Sequence, residues 1–95
     1  MLFALIAYDK PNALPERMKA RPDHLEHLKV LGEKLKLAGP FLDPAGEMNG
    51  SIVIIEADNQ GEAETLFGRD PFVQRGIFGS YEIRPWRVGI NNMGT

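Results

Sequence analysis

The chain has no cysteine, which excludes disulfides, thiolate nucleophiles and cysteine-ligated metals and fits a reducing compartment. It also has no excess of positive charge: 11 Lys and Arg stand against 13 Asp and Glu, a formal charge of −2. That balance offers no field to a phosphate backbone or an anionic lipid surface, so neither nucleic acid nor membrane is an expected partner. Long apolar runs are missing as well. Met1 to Tyr8 is apolar, but it carries no basic flank and Asp9-Lys10-Pro11 ends it far short of a signal segment or a membrane span. It reads as a buried strand, and cytoplasm is the expected location. No glycine-rich phosphate loop is present; Gly46 and Gly50 read as hairpin residues.

What is there is ordinary globular material, 95 residues with 43% hydrophobic and 25% charged side chains. One domain over residues 1–88 with a tail over 89–95 is the expected organisation. A domain of this size buries only about 60–65% of the surface its unfolded chain exposes, so its core is thin and pairing with a second copy would help it.

Leu2 to Tyr8 is rich in strand formers, and Asp9 to Pro15 follows as a loop with two prolines. From Pro22, Leu25, Leu28, Leu31 and Leu35 recur at helical spacing with charged residues between them. The pattern predicts an amphipathic helix with Pro22, Asp23 and His24 in its opening turn and Gly39-Pro40 as its stop. Phe41-Leu42 is then a brief strand, and Ser51 to Ala57 the strongest strand in the chain, expected at the sheet's centre. Asp58-Asn59 can cap a second helix over Gln60 to Phe67, with Ala63, Leu66 and Phe67 inward. A short turn of helix around Phe72 to Arg75 precedes a last strand, Tyr81 to Val88, which Pro85 confines to an edge or a bulge.

The order β-α-β-β-α-β is that of the split βαβ, or ferredoxin-like, α+β fold with an antiparallel sheet. Its topology has a consequence for chemistry. Strands one and two run one way, three and four the other, and each helix returns against the strand before it. The end of the first strand (Asp9), the start of the first helix (Arg21, His24), the start of the third strand (Gly50, Ser51) and the end of the second helix (Asp70) therefore meet at one end of the domain. An imidazole and carboxylates brought together there can move protons near neutral pH.

Several runs carry a family likeness: Tyr8-Asp9, Arg21-Pro22-x-His24-Leu25, Ala38-Gly39-Pro40, Gly50-Ser51, Asp70-Pro71-Phe72 and Pro85-Trp86. In this order and spacing, over nearly the whole chain, the sequence resembles the YciI-like family of small dimeric α+β barrel proteins. The resemblance implies a homodimer, open to higher assembly, whose protomers pack sheet on sheet around pockets for a small-molecule substrate. It implies a His–Asp pair formed by His24 with Asp9 or Asp70, and Arg21, Ser51, Gly50, Pro40 and Phe72 around the substrate. Family members acting in chloroaromatic degradation are dehydrochlorinases of chlorinated hydroxyhydroquinones, and muconolactone isomerases share the wider fold. The expected activity is therefore cofactor-free elimination or isomerisation of a hydroxylated ring. A non-catalytic metabolite-binding protein and a cofactor-free oxygenase are the alternatives. The short Asp43-to-Asn49 connection departs from relatives with a longer insertion there.

Each residue also has a plainer reading. Asp70 before a proline can simply cap a turn, and Asp9 can start a loop. Asp9 belongs to the same β–α connection as the helix start, which favours it as the residue orienting His24 and leaves Asp70 for substrate contact. Ser51 lacks the strained elbow of a hydrolase nucleophile, so it reads as a hydrogen-bonding group. Arg21 can pair with Asp23 or Glu16 at the surface or offer charge to a phenolate or carboxylate. Tyr81 and Trp86 read as core or dimer-interface residues. His24 and His27, at i and i+3, lack a fixed third ligand, and no metal is expected.

Overall fold

The computed structural model describes residues 1–94; Thr95, counted in the expected tail, lies outside them. The elements are β1 (Leu2–Asp9), α1 (Leu14–Leu31), a 3-10 turn (Gly32–Lys34), β2 (Leu35–Leu42), β3 (Met48–Glu56), α2 (Gln60–Gly68), α3 (Pro71–Gln74) and β4 (Phe78–Trp86). The four strands form one antiparallel sheet in the order β2-β3-β1-β4, which is the ferredoxin-like arrangement. The strongest strand of the sequence is central as expected, and Pro85 lies on an edge strand, where a missing N–H costs little.

Strand β3 starts at Met48 and ends at Glu56, where Ser51 to Ala57 is expected, and β4 covers Phe78–Trp86 where Tyr81 to Val88 is expected; two further differences bear on the site. Helix α1 begins at Leu14, with Pro15 in its first turn, and runs through Pro22, placing His24 in the body of the helix rather than its opening turn. Glu16-Arg17-Met18-Lys19-Ala20 is good helix-forming sequence, and burying Arg17 and Ala20 against the sheet holds this first half in place despite the interior proline. Gly39-Pro40 does not stop that helix. It lies within β2, which starts at Leu35 and, being the other edge strand, tolerates a proline too.

Phe3, Leu5 and Ala7 of β1 and Val53 and Ile55 of β3 meet Ala20, Leu31, Ala63, Phe67 and Phe72 from the helices to form the core on one face of the sheet. Alternate strand positions point the other way. There Tyr8, Leu37, Ile52 and Trp86 stay exposed, an apolar face without cover. Gly50 faces this side between Tyr8 and Phe41, its partners in the two neighbouring strands, whose rings stack at 5.7 Å. A Cβ at Gly50 would stand 2.5 Å from the Ala7 carbonyl oxygen and 2.9 Å from Phe41 Cδ2. Gly50→Ala is accordingly expected to lower unfolding free energy by about 1–3 kcal/mol, read as a lower urea midpoint at unchanged slope; an unchanged midpoint would show that β3 can move aside.

Candidate active site

Asp70 is the N-cap of α3. Its carboxylate accepts the Phe72 N–H at 2.9 Å, with Pro71 at the helix's first position, which explains the local Asp-Pro-Phe sequence. The same carboxylate, 1% exposed, takes His24 Nδ1 at 2.9 Å from each oxygen. A carboxylate facing Nδ1 fixes the proton of the neutral ring there and leaves the Nε2 lone pair available as a base. The partner of His24 is thus Asp70. Asp9, expected to orient the histidine, bonds Arg17 instead, because Arg17 lies two helical turns before His24 and nearer the end of β1.

Arg17 belongs to the candidate site and is absent from the sequence reading. It is 2% exposed, donates from Nη1 to both oxygens of Asp9 (2.9 and 3.1 Å) and from Nη2 to the Gly50 carbonyl (2.9 Å) and Ser51 Oγ (2.7 Å). Nε finds no partner among the described residues. Burial pushes the Asp9 carboxyl pKa upward, and the guanidinium works against that rise. The available signal was Pro15-Glu16, an alternative helix start that puts residues 17, 21 and 24 on one stripe.

Phe72 joins the two polar pairs. Its ring stacks on the His24 imidazole at 3.9 Å and 11°, and the Arg17 guanidinium carbon lies 4.5 Å from its centroid. With one face taken by the imidazole, the guanidinium has the other. Arg17 and His24, seven residues apart on α1, are spaced to hold a ring between them.

A cavity of about 100 Å³ opens beside this stack, lined among others by Arg21, His24, Leu25, Pro40, Ser51 and Phe72. This is less than the roughly 150 Å³ void that holds benzene, so a single ring seated here would extend through the cavity's open side. Of the residues expected around substrate, Arg21, Ser51, Pro40 and Phe72 line it; Gly50 touches the site only through its carbonyl, and Asp9 stands behind Arg17. Arg21 has no carboxylate partner among the described residues, since Asp23 pairs with Arg75. Leu25, one of the leucines that set the helical spacing, is a half-exposed rim residue, because the buried stripe of α1 is Arg17, Ala20, His24 and Leu31. Tyr81 and Trp86 are partly exposed on β4, away from this cavity.

His27 faces a separate recess with Lys34, Leu66 and Arg69. Among the described residues no three His, Asp or Glu side chains converge as metal ligands. Burial lowers the His27 pKa below 6.5; Asp70 opposes the shift, while His24 and Arg69 add to it. The folded state therefore resists protonating His27. Stability should fall as pH drops from about 6.5 through the lower folded value, and His27→Gln should remove that part of the slope. Urea melts of both proteins between about pH 8 and pH 5 check it; parallel curves would be contrary to it.

Comparison with known proteins agrees with this architecture. The sequence profile of the YCII-related domain matches residues 1–87. Protein YciI of Escherichia coli O6:H1 is 33% identical over 95 residues, covering 92% of this chain and 97% of the relative. An uncharacterized protein of Haemophilus influenzae is 31% identical over 97 residues, with the same 92% and 97% coverage. Among solved structures, TftG of Burkholderia phenoliruptrix, a 5-chloro-2-hydroxyhydroquinone dehydrochlorinase in complex with 2,5-dihydroxybenzoquinone, is similar with a TM-score of 0.85 at 31% identity, covering 94% of this chain and 96% of that one. A conserved protein of Methanosarcina mazei, with a TM-score of 0.56 and 16% identity over 92% of each chain, shares the fold alone. With a profile match from Met1 to Arg87 and relatives at 33% and 31% identity along nearly its whole length, the chain belongs to the YCII-related domain family.

Proposed function

We propose that this protein is a cofactor-independent acid–base enzyme that eliminates chloride from a chlorinated hydroxyhydroquinone or isomerises a similar hydroxylated ring. The observation that carries the reading is the buried His24–Asp70 pair, with Nδ1 held at 2.9 Å by the carboxylate, opening on a one-ring cavity. The likeness to TftG supports chloride elimination as its sharpest form.

In that reaction His24 Nε2 accepts a ring-hydroxyl proton and relays it to the chlorine-bearing carbon, giving a keto tautomer. Removal of a second hydroxyl proton then expels chloride with its bonding pair. The sum is loss of HCl and formation of a hydroxybenzoquinone. The ring's two electrons are taken up as C–Cl becomes C–H, so no outside oxidant enters. Asp70 stabilises the imidazolium, and the Arg21 charge and the Ser51 hydroxyl serve the oxyanion.

Incubation with a chlorinated hydroxyhydroquinone under anaerobic, metal-chelated conditions, read as free chloride, is the test. The native protein is expected to release chloride, and His24→Ala to turn over on the order of 10²–10⁴-fold more slowly. Asp70→Asn should fall in the same direction because it loses the tautomer control. A fully active His24→Ala variant would sink the role given to this residue, while ligand binding without chloride from the native protein would favour the metabolite-binding reading.

The bare sheet face bears on assembly. Leu2, Leu37, Ile54, Trp86 and Val88, with Ile90 and Met93 from the segment after β4, line an open apolar recess of about 630 Å³. We propose that a second copy covers this face, sheet on sheet, as a homodimer. Native protein should sediment at about twice its 10.6 kDa mass, and Ile52→Lys, which charges the face without touching the core, as a monomer. A monomeric native protein at tens of micromolar would refute the assembly.

A further inference from the structure

The Ser51 hydroxyl is only partly used by the protein. A serine hydroxyl has one hydrogen to give and two lone pairs. Arg17 Nη2 donates to Ser51 Oγ at 2.7 Å, so one lone pair is occupied and the hydroxyl hydrogen must point away from the guanidinium. Ser51 is 2% exposed and has no acceptor for that hydrogen among the described residues, yet its side of β3 lines the cavity. Arg17 cannot turn aside to relieve this, because Asp9, the Gly50 carbonyl and the Phe72 ring fix it on three sides.

We propose that Ser51 is a one-way donor into the cavity, held so by Arg17 as a positioning residue, and that the site selects a single-ring ligand presenting an unprotonated oxygen there, a phenolate or a ring carbonyl. Charge points the same way. Arg17 is neutralised by Asp9 and His24 faces Asp70, whereas Arg21 lines the cavity with no carboxylate partner among the described residues. Arg21 also follows Arg17 at i+4, a like-charged spacing that costs helix stability and is relieved by an anion. At the other end His24 Nε2 is an acceptor. The ligand that satisfies both ends is a hydroxylated ring with an O–H for His24 and an O⁻ or C=O for Ser51 and Arg21, the O⁻ form gaining most from the Arg21 charge. This rests on reading the cavity as a ring-binding site, but not on any turnover.

The test therefore uses an unreactive probe, 4-nitrophenol, whose phenolate absorbs in the visible. Its spectrophotometric titration in the presence of the full-length protein gives the pKa of the bound phenol. The native protein is expected to bind the phenolate about tenfold more tightly than the phenol, seen as a bound pKa about one unit lower. Ser51→Ala should lose several-fold of that preference with Arg21 still in place. Ser51→Cys, equal in size with a weaker donor, should fall between the two and serves if the alanine variant does not fold. Arg21→Gln should reduce the preference independently. A bound pKa at or above that of the free phenol, or a preference that survives both Ser51 variants, overturns the proposal. Because the probe carries no chlorine, a protein that shows the shift but releases no chloride from hydroxyhydroquinones keeps this inference and loses the elimination.

Discussion

A single buried guanidinium holds this site together. Arg17 reaches from α1 to the end of β1 through Asp9 and to the start of β3 through Gly50 and Ser51, and its guanidinium carbon lies over the ring of Phe72. An isolated charge at that depth would be costly, and removing either partner of such a pair typically destabilises a protein by about 3–5 kcal/mol. Being planar, with donors in a fixed fork, arginine can serve three acceptors at once and still stack, which lysine could not do. The geometry of the chemical groups follows. Phe72 is placed by Arg17, His24 is placed against Phe72 and Asp70, and Ser51 has its hydroxyl direction set.

The arrangement separates charge compensation from chemistry. Asp9 and Asp70 are both carboxylates behind a cation, yet they differ in what they control. Asp9 neutralises a group that never loses its proton, so it contributes structure. Asp70 faces an imidazole nitrogen, so it fixes a tautomer and favours the imidazolium when a proton arrives. Between them the cavity carries one acceptor, one donor and one unneutralised cation, which is enough to orient a small ring by polarity instead of by shape alone.

Much of this was legible in the sequence because topology, rather than spacing, gathers the motifs. Asp9, Gly50, Ser51 and Asp70 are far apart along the chain, and the βαββαβ order alone assigns them to one end of the sheet. Two things were not legible, and they have one cause. Apolar periodicity marked Leu25, Leu28 and Leu31, so the helix was begun at Pro22; the face that α1 buries is half polar, with Arg17 and His24 on it, and hydrophobic pattern cannot register such a face. Starting the helix late hid Arg17. With Arg17 hidden, Asp9 has no visible partner in the sequence except His24, and the orienting role that Asp70 holds falls to Asp9. The start of β2 at Leu35 is masked for a related reason: Leu35 continues the helical spacing, and Gly39-Pro40 looks like a stop unless the strand is known to lie at an edge.

The edges themselves bear on how the fold can associate. Both outer strands carry a proline, Pro40 in β2 and Pro85 in β4, and each removes a backbone donor that an added strand would need. Growth of the sheet sideways is therefore discouraged on both sides. Of the large apolar residues left uncovered, Tyr8, Leu37, Ile52 and Trp86 lie on the sheet's open face, on the opposite side from the cavity, with Ile52 pointing out where its neighbours Ser51 and Val53 point in. An interface that used this face would bury the far side of the strand that carries Ser51. It would stiffen β3 under the donor without covering the cavity mouth, so association and catalysis would draw on opposite faces of the same strand.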